Sequence, residues 1–346
     1  MLKHFFLTAT ILILGTPSLA SACTCGLWPG SCNQAWKAGQ VIFTGTVTGK
    51  LTSNETSFTQ NAFQFAVSES FRGPAIGGQN ITVYTGMGGG DCGYQFNLGA
   101  TYLVYASEYN GKLVTGICTL TSPAARMQAT IRQLRALGKG ERVADVFGMI
   151  STSPLSFADD PSEIKPLAGK RVRVIGSRNL EQSTTTDDEG IYSFPSLPAD
   201  TYRLEVDPPE GMSTWQRNKG EPYKIELGAQ GVSGCPASLS FVADGRIKGK
   251  VVDENGNGVA GFVTLEVLDP KEAEAAKWRG GLVGYDTESG EFELALLRPN
   301  KYRLLFRRKI DGRVDFRVPP VRSEVITIGL GQHVDDFHFN VSAVRL

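Results

Sequence analysis

The sequence predicts an all-β protein: an OB-type five-stranded barrel with a terminal helix, followed by two β-sandwich domains of the prealbumin or immunoglobulin-like kind. Three observations predict it. Short runs rich in Val, Ile, Thr, Phe and Tyr, separated by Gly and Asn, fill residues 41–119. One amphipathic helical stripe follows them. The rest of the chain then repeats itself at a lag of about one hundred residues, a domain-sized period rather than a solenoid-sized one. A length of 346 residues suits two or three such domains.

Residues 1–22 read as a signal peptide. Lys3 and His4 make a short basic start, Phe5 to Leu14 the apolar stretch, and Ala20-Ser21-Ala22 the small-residue cleavage site. The apolar stretch is short for a membrane span, and no later segment is long enough to be one. Cleavage after Ala22 leaves Cys23 as the first residue. Lipidation of Cys23 is the competing reading. Ala20, however, stands where a lipoprotein signal more often has Leu, and a lipidated Cys23 would leave one of Cys92 and Cys118 unmatched. The expected location is therefore secreted, or periplasmic and cell-envelope.

An oxidising compartment makes disulfides the default for the six cysteines. No C-x-x-C pair occurs and no histidine lies near them, so no intrinsic metal site and no cofactor are expected. Lys and Arg together number 35 and so do Asp and Glu, a balance that gives no reason to expect nucleic acid as partner. His333 and His338 are the only histidines after the signal segment. With no Ser-His-Asp or Cys-His set available, the expected function is non-enzymatic.

The barrel strands are predicted at Val41–Val47, at Ala62–Val67 with Phe63, Phe65 and Val67 alternating, at Ile81–Tyr84, at Tyr102–Ala106 and at Leu113–Ile117. A helix is predicted from Ser122 as N-cap, with Pro123 in its first turn. Met127, Ile131, Leu134 and Leu137 form its apolar stripe, which should dock on the barrel, and Gly138 should end it. Cys23-Thr24-Cys25 precedes all of this. Neighbouring side chains point in different directions, so each cysteine needs its own partner downstream.

With the C-x-C start, Cys32, Val41-Ile-Phe-Thr-Gly45, Asp91-Cys92-Gly93-Tyr94, Gly99, Tyr102-Leu103 and Cys118, residues 23–140 resemble the netrin-type domain, specifically the inhibitory domain of tissue inhibitors of metalloproteinases. That resemblance implies an OB-type barrel and the pairings Cys23–Cys92 and Cys25–Cys118. It also implies a function: the amine and carbonyl of the first residue chelate a protease's zinc, and the second residue, here Thr24, enters the neighbouring pocket. The inhibitory ridge would then comprise Cys23, Thr24, Cys25, Asp91, Cys92 and Gly93, with Gly90 beside them. Such disulfides would stabilise a small barrel by about 2–4 kcal/mol each. The segment departs from the family in a shorter Cys25–Cys32 spacing, in lacking the partner expected for Cys32 after the helix, and in lacking the family's second cysteine-rich subdomain. Cys32 and Cys235 are left over. They either bond across domains or stay as thiols, and the oxidising compartment favours the bond.

After the charged linker Gly138–Arg142 come the two copies, residues 143–243 and 244–346. Phe147-Gly148-Met-Ile150 corresponds to Ile247-Lys-Gly249-Lys-Val251, the Gly190 turn to the Gly290 turn, and Tyr202-Arg-Leu204 to Tyr302-Arg-Leu304. Gly249-Lys-Val-Val-Asp253, Gly256, Val259-Ala-Gly261, Val263, Gly290 and Tyr302 resemble the carboxypeptidase regulatory-like domain. The resemblance implies a transthyretin-like sandwich without catalytic residues. The first hairpin of the first copy, around Pro166–Gly169, matches less well.

Other motifs read more plainly. Asp253-Glu-Asn-Gly-Asn-Gly258 starts like a calcium loop, but Thr264 stands where the twelfth-position acid belongs, so a tight turn is expected. His333-Val-Asp-Asp-Phe-His338 is expected as a final edge strand, with Asp336 and His338 facing solvent. Asp187-Asp-Glu189 is expected as a hairpin turn. Arg307-Arg308-Lys309 offers a possible anion or glycan patch against a plain solvated strand pair. Two functions compete: a secreted inhibitor whose partner is a zinc metalloproteinase, and a cell-envelope adhesion or carbohydrate-binding protein. In the second, the sandwiches bind a surface polysaccharide and the barrel is scaffold.

Overall fold

A computed structural model describes residues 39–52, 61–75, 77–88, 91–155, 161–214, 223–227, 234–278, 284–314 and 316–341. The export segment, Cys23, Thr24, Cys25, Cys32 and Gly90 lie outside them. Strands β1 (Val41–Thr52), β2 (Asn61–Arg72), β3 (Asn80–Thr85), β4 (Thr101–Tyr109) and β5 (Lys112–Val114) run in the order β1-β2-β3-β5-β4. β4 pairs back on β1, from Val41 opposite Ala106 to Thr46 opposite Thr101, and the five strands close into the expected barrel. Phe43, Phe63, Phe65, Phe96 and Tyr102 fill it. Phe96 sits at the centre, its ring 5.1, 5.0 and 4.9 Å from those of Phe63, Phe65 and Tyr102, all edge-on. Edge-on pairs set the positive ring edge against a negative face.

β4 is an unbroken apolar run because both of its faces are covered. Tyr102 and Val104 point into the barrel, whereas Leu103 and Tyr105 join a second core outside it. That second core is built around helix α1 (Gln128–Gly138). The helix starts later than the sequence suggested. Ser122 and Pro123 form a two-residue strand, β6, on β4, and a single 3-10 turn at Ala124–Arg126 precedes α1. Ser122 is therefore not the N-cap; Met127 is, with no side-chain cap. Gly138 is the last helical residue, and Gly140 takes the left-handed conformation beyond it at φ 75°.

The first sandwich comprises β7 (Val146–Thr152), β8 (Arg171–Gly176), β9 (Glu181–Thr185), β10 (Ile191–Phe194), β11 (Asp200–Val206), β12 (Met212–Thr214), β13 (Tyr223–Leu227), β14 (Cys235–Pro236) and β15 (Leu239–Ala243). Its sheets are β10-β7-β15-β12, with β14 also on β7, and β13-β11-β8-β9. The second sandwich comprises β16 (Gly245–Val252), β17 (Gly261–Val267), helix α2 (Pro270–Trp278), β18 (Tyr285–Thr287), β19 (Glu291–Leu297), β20 (Asn300–Ile310), β21 (Arg313–Val314), β22 (Val321–Ile328) and β23 (His333–Asn340). Its sheets are β19-β16-β23 and β18-β17-β20-β21, with β22 also on β20.

The repeat holds down to single hydrogen bonds. The Tyr202 hydroxyl donates to the Pro198 carbonyl at 2.8 Å, and Tyr302 donates to Arg298 at 2.8 Å. Ile150 N–H donates to Gly190 O and Val251 N–H to Gly290 O, both at 2.8 Å. The first hairpin of the first copy also follows the pattern, since Leu167 N–H donates to Ile150 O as Val259 N–H donates to Val251 O. In each copy the last strand runs parallel to the first and crosses it at a glycine. A Cβ on Gly148 would lie 2.2 Å from Ala237 O, and one on Gly249 2.0 Å from Phe337 O. Gly148→Ala and Gly249→Ala should each cost about 1–3 kcal/mol through forced separation of the strands. A lower denaturant midpoint would record it, and an unchanged midpoint would contradict the crossing.

Candidate functional site

Of the expected ridge residues, Asp91, Cys92 and Gly93 are described, between β3 and β4. The Asp91 carboxylate accepts the backbone N–H groups of Met87 at 2.6 Å, Gly88 at 2.9 Å and Gly93 at 3.2 Å, which draws residues 86–88 and 91–93 together. Those amides, Met87's first, hold its carboxyl below the usual carboxylate range. Cys92 sits in the left-handed region at φ 59°, uncommon for a residue with a Cβ. Gly93 has no alternative there, because a Cβ would fall 2.3 Å from Gly86 O.

A second loop meets the first. Ile117 N–H donates to Cys92 O at 3.0 Å, which brings Cys118 to the same barrel rim. Two buried hydroxyls, Thr115 and Thr121, and the exposed Thr119 hydroxyl hold that loop. Thr115 Oγ1 lies 2.8 Å from Thr121 Oγ1 and 3.0 Å from Thr119 Oγ1, and it donates to Tyr105 O at 2.8 Å. Cys92, Cys118 and Cys235 are all half-cystines, so a free thiol at Cys235 is ruled out. The pairings with Cys23, Cys25 and Cys32 lie outside the described residues. A depressed folded-state pKa means that the Asp91 contribution is full above the unfolded value and is lost as pH falls through the folded one. Acidification should therefore loosen the contacts of Met87, Gly88 and Gly93 with Asp91 before the barrel. Amide exchange at Met87 and Gly93 against pH would record it, and pH-independent protection there would contradict it.

Helix α1 does not sit on the barrel alone. Ile131 and Leu134 are buried in one cluster with Ile42, Leu103 and Tyr105 of the barrel and with Phe147, Met149 and Ile191 of the first sandwich, whereas Leu137 is 37% exposed. The Asp187–Glu189 turn, expected only as a turn, also takes Arg132: its guanidinium reaches Asp187 at 2.5 Å and Glu189 at 2.7 Å. Arg135 binds Glu69 of β2 at 2.7 Å. Exposed pairs like these contribute about 0–1 kcal/mol each, so they orient the joint more than they stabilise it. The signal for this joint was present in the sequence. Gly148 aligns with Gly249, so outward-facing Phe147, Met149 and Ile191 stand where the second copy has Lys248, Lys250 and Glu291.

The basic triplet does not form one patch. Lys309 Nζ is held by Asp286 at 2.6 Å and by Glu288, and Arg308 interacts with the Asp253 turn. Arg307, half-buried and on the same side as Lys309, has no carboxylate partner among the described residues. Its Nε donates to Val318 O at 3.3 Å, and its guanidinium lies 5.5 Å from the Phe316 ring centre. Phe262, directly across from Arg307 on β17, meets Phe316 edge-on at 5.7 Å. Phe262 and Phe316 were missed from sequence, because the register that brings residue 262 opposite 307 is set by strand pairing.

Asp253 accepts the amides of Asn255 and Asn257, both at 2.9 Å, in a turn with Gly256 at φ 79°. β23 is an edge strand as expected, with Phe339 and Val341 buried and His338 exposed. A bulge at Asp336, φ 59°, interrupts its alternation and leaves Asp335 and Asp336 both exposed. His333 lies near Asp244, its Nε2 2.9 Å from Asp244 O. Among the described residues no three His, Cys, Asp or Glu side chains converge as metal ligands, and no helix is long and apolar enough to cross a membrane.

No family model and no curated protein matches the chain. Among solved structures it is similar to the streptococcal ancillary pilin, at 15% identity over 70% of each chain with a TM-score of 0.22. It is also similar to the minor pilin GBS52 of Streptococcus agalactiae, at 13% identity over 58% of this chain and 96% of that one with a TM-score of 0.23. A third similarity is to the Bacillus anthracis TIE protein, at 16% identity over 87% of this chain and 50% of that one with a TM-score of 0.21.

Proposed function

We propose that the protein is an exported, non-enzymatic binding protein of the cell envelope or its surroundings, in which the sandwiches make the contacts and the barrel is scaffold. The observation that carries this is the joint at α1. Phe147, Met149 and Ile191 seal the barrel onto the first sandwich, and the equivalent Lys248, Lys250 and Glu291 leave the second sandwich uncovered there. A barrel sharing one core with its neighbour is a foundation, and the outer sandwich is the accessible module. The partner class that fits is a surface polysaccharide.

A second reading has its own observation in favour: the Cys92 and Cys118 loops are bonded to each other on one rim. Two half-cystines so placed suit an N-terminal Cys-x-Cys fastened at both points, as in the zinc-capping inhibitors of metalloproteinases. A fastened terminus would bind without the ordering cost of a loose one. One experiment separates the readings. The mature protein and a form with a single alanine ahead of Cys23 are compared for retention on envelope polysaccharide and for inhibition of a zinc metalloproteinase. The scaffold reading expects equal retention of the two forms and no inhibition by either. Inhibition by the mature form that disappears on extension would overturn it in favour of the zinc-capping head.

A further inference from the structure

We infer that the outward face of the second sandwich around Arg307 and Phe316 binds an acidic polysaccharide, with a sugar ring seated on Phe316 and a carboxylate or sulfate on Arg307. This rests on the scaffold reading above and names the face and the ligand class. Phe316 is 62% exposed, and Val318, whose carbonyl takes the Arg307 Nε hydrogen bond, is 46% exposed. Exposed apolar groups gathered in one place mark interaction sites more often than single ones do. The ring is nevertheless held in position, because Phe262 meets it edge-on and the Arg307 guanidinium lies against it. An aromatic ring fixed in this way loses little freedom when something stacks on it.

The charge pattern selects the occupant. Lys309 is consumed by Asp286 and Glu288, while Arg303 and Arg322 share the single carboxylate of Glu266 at 3.6 and 3.7 Å. Among the described residues four bases of this face, Arg303, Arg307, Lys309 and Arg322, thus stand against three acids, Glu266, Asp286 and Glu288, and the base with no carboxylate partner is the one at the aromatic ring. Arg307 Nε is spent on Val318 O, which leaves the two Nη groups at the edge of the ring to meet an oxyanion. A neutral glycan would use the ring and leave those groups unmet. An acidic one satisfies both.

The test uses the intact protein with polygalacturonate, dextran sulfate and neutral dextran, read by affinity electrophoresis. Phe316→Ala and Arg307→Gln should each weaken binding to one or both acidic polymers by at least about tenfold. Arg308→Gln removes the same charge one residue away and should leave binding unchanged, and neutral dextran should not bind. Galacturonate and sulfate arms identify which acid is preferred. Thermal melts of each variant matching the parent show that the fold survives. Acidic-polymer binding that persists in both Phe316→Ala and Arg307→Gln would overturn this face while leaving the scaffold reading in place. Equal loss in Arg308→Gln, or equal binding of neutral dextran, would overturn the ligand class. Retention of no polysaccharide at all would overturn both.

Discussion

Ile131→Ala should lower the stability of the barrel and the first sandwich together by about 2–5 kcal/mol, the usual cost of truncating a buried aliphatic side chain. The size follows from burial, since Ile131 is 2% exposed. The coupling follows from its neighbours: the same cavity would open against Leu103 and Tyr105 on one side and Phe147 and Met149 on the other. Calorimetry should therefore show one transition for residues of the barrel and first sandwich, moved down by the substitution. A second transition, from the separate core of Val263, Phe292, Leu304 and Phe306, should stay where it was. A barrel transition that falls while the first sandwich holds its midpoint would contradict the shared core.

Cys92→Ser should cost about 2–5 kcal/mol, in the range for losing a native disulfide from a small exported domain. Cys118→Ser should cost a similar amount. The two losses should not add, because the Ile117–Cys92 hydrogen bond makes the loops one unit, and whichever bridge goes first loosens both. Denaturant midpoints of the two single variants and the double variant measure this. Full additivity would mean that the half-cystines act independently, and the rim would then not be a single platform.

The all-β architecture was readable in the chain because its signals are local. The alternation of Phe63, Phe65 and Val67 gave a half-buried strand, and the doubled Tyr202 and Tyr302 gave two copies of one sandwich. The start of α1 was not readable. Ser122-Pro123 has the chemistry of a helix entry, yet β4 needed an edge partner and took those two residues first. The bulge at Asp336 was hidden for a similar reason, since it answers to the register against β16. On the rim, Asp91, Cys92 and Gly93 could be picked out by their order, but the three amides that donate to Asp91 could not. The basic triplet misled because sequence proximity is not proximity on a strand. Arg307 and Lys309 face one way, Arg308 the other, and Lys309 is neutralised by residues more than twenty positions earlier.

Native-state hydrogen exchange along α1 tests most directly whether the barrel is built into the scaffold. The amides of Ile131 and Leu134 should open at the same free energy as those of Phe147 and Met149 on β7, and all four should move together with denaturant. If the helix amides opened with the barrel strands while β7 stayed closed, the barrel would be a separate head resting on the sandwich, and the scaffold reading would fall.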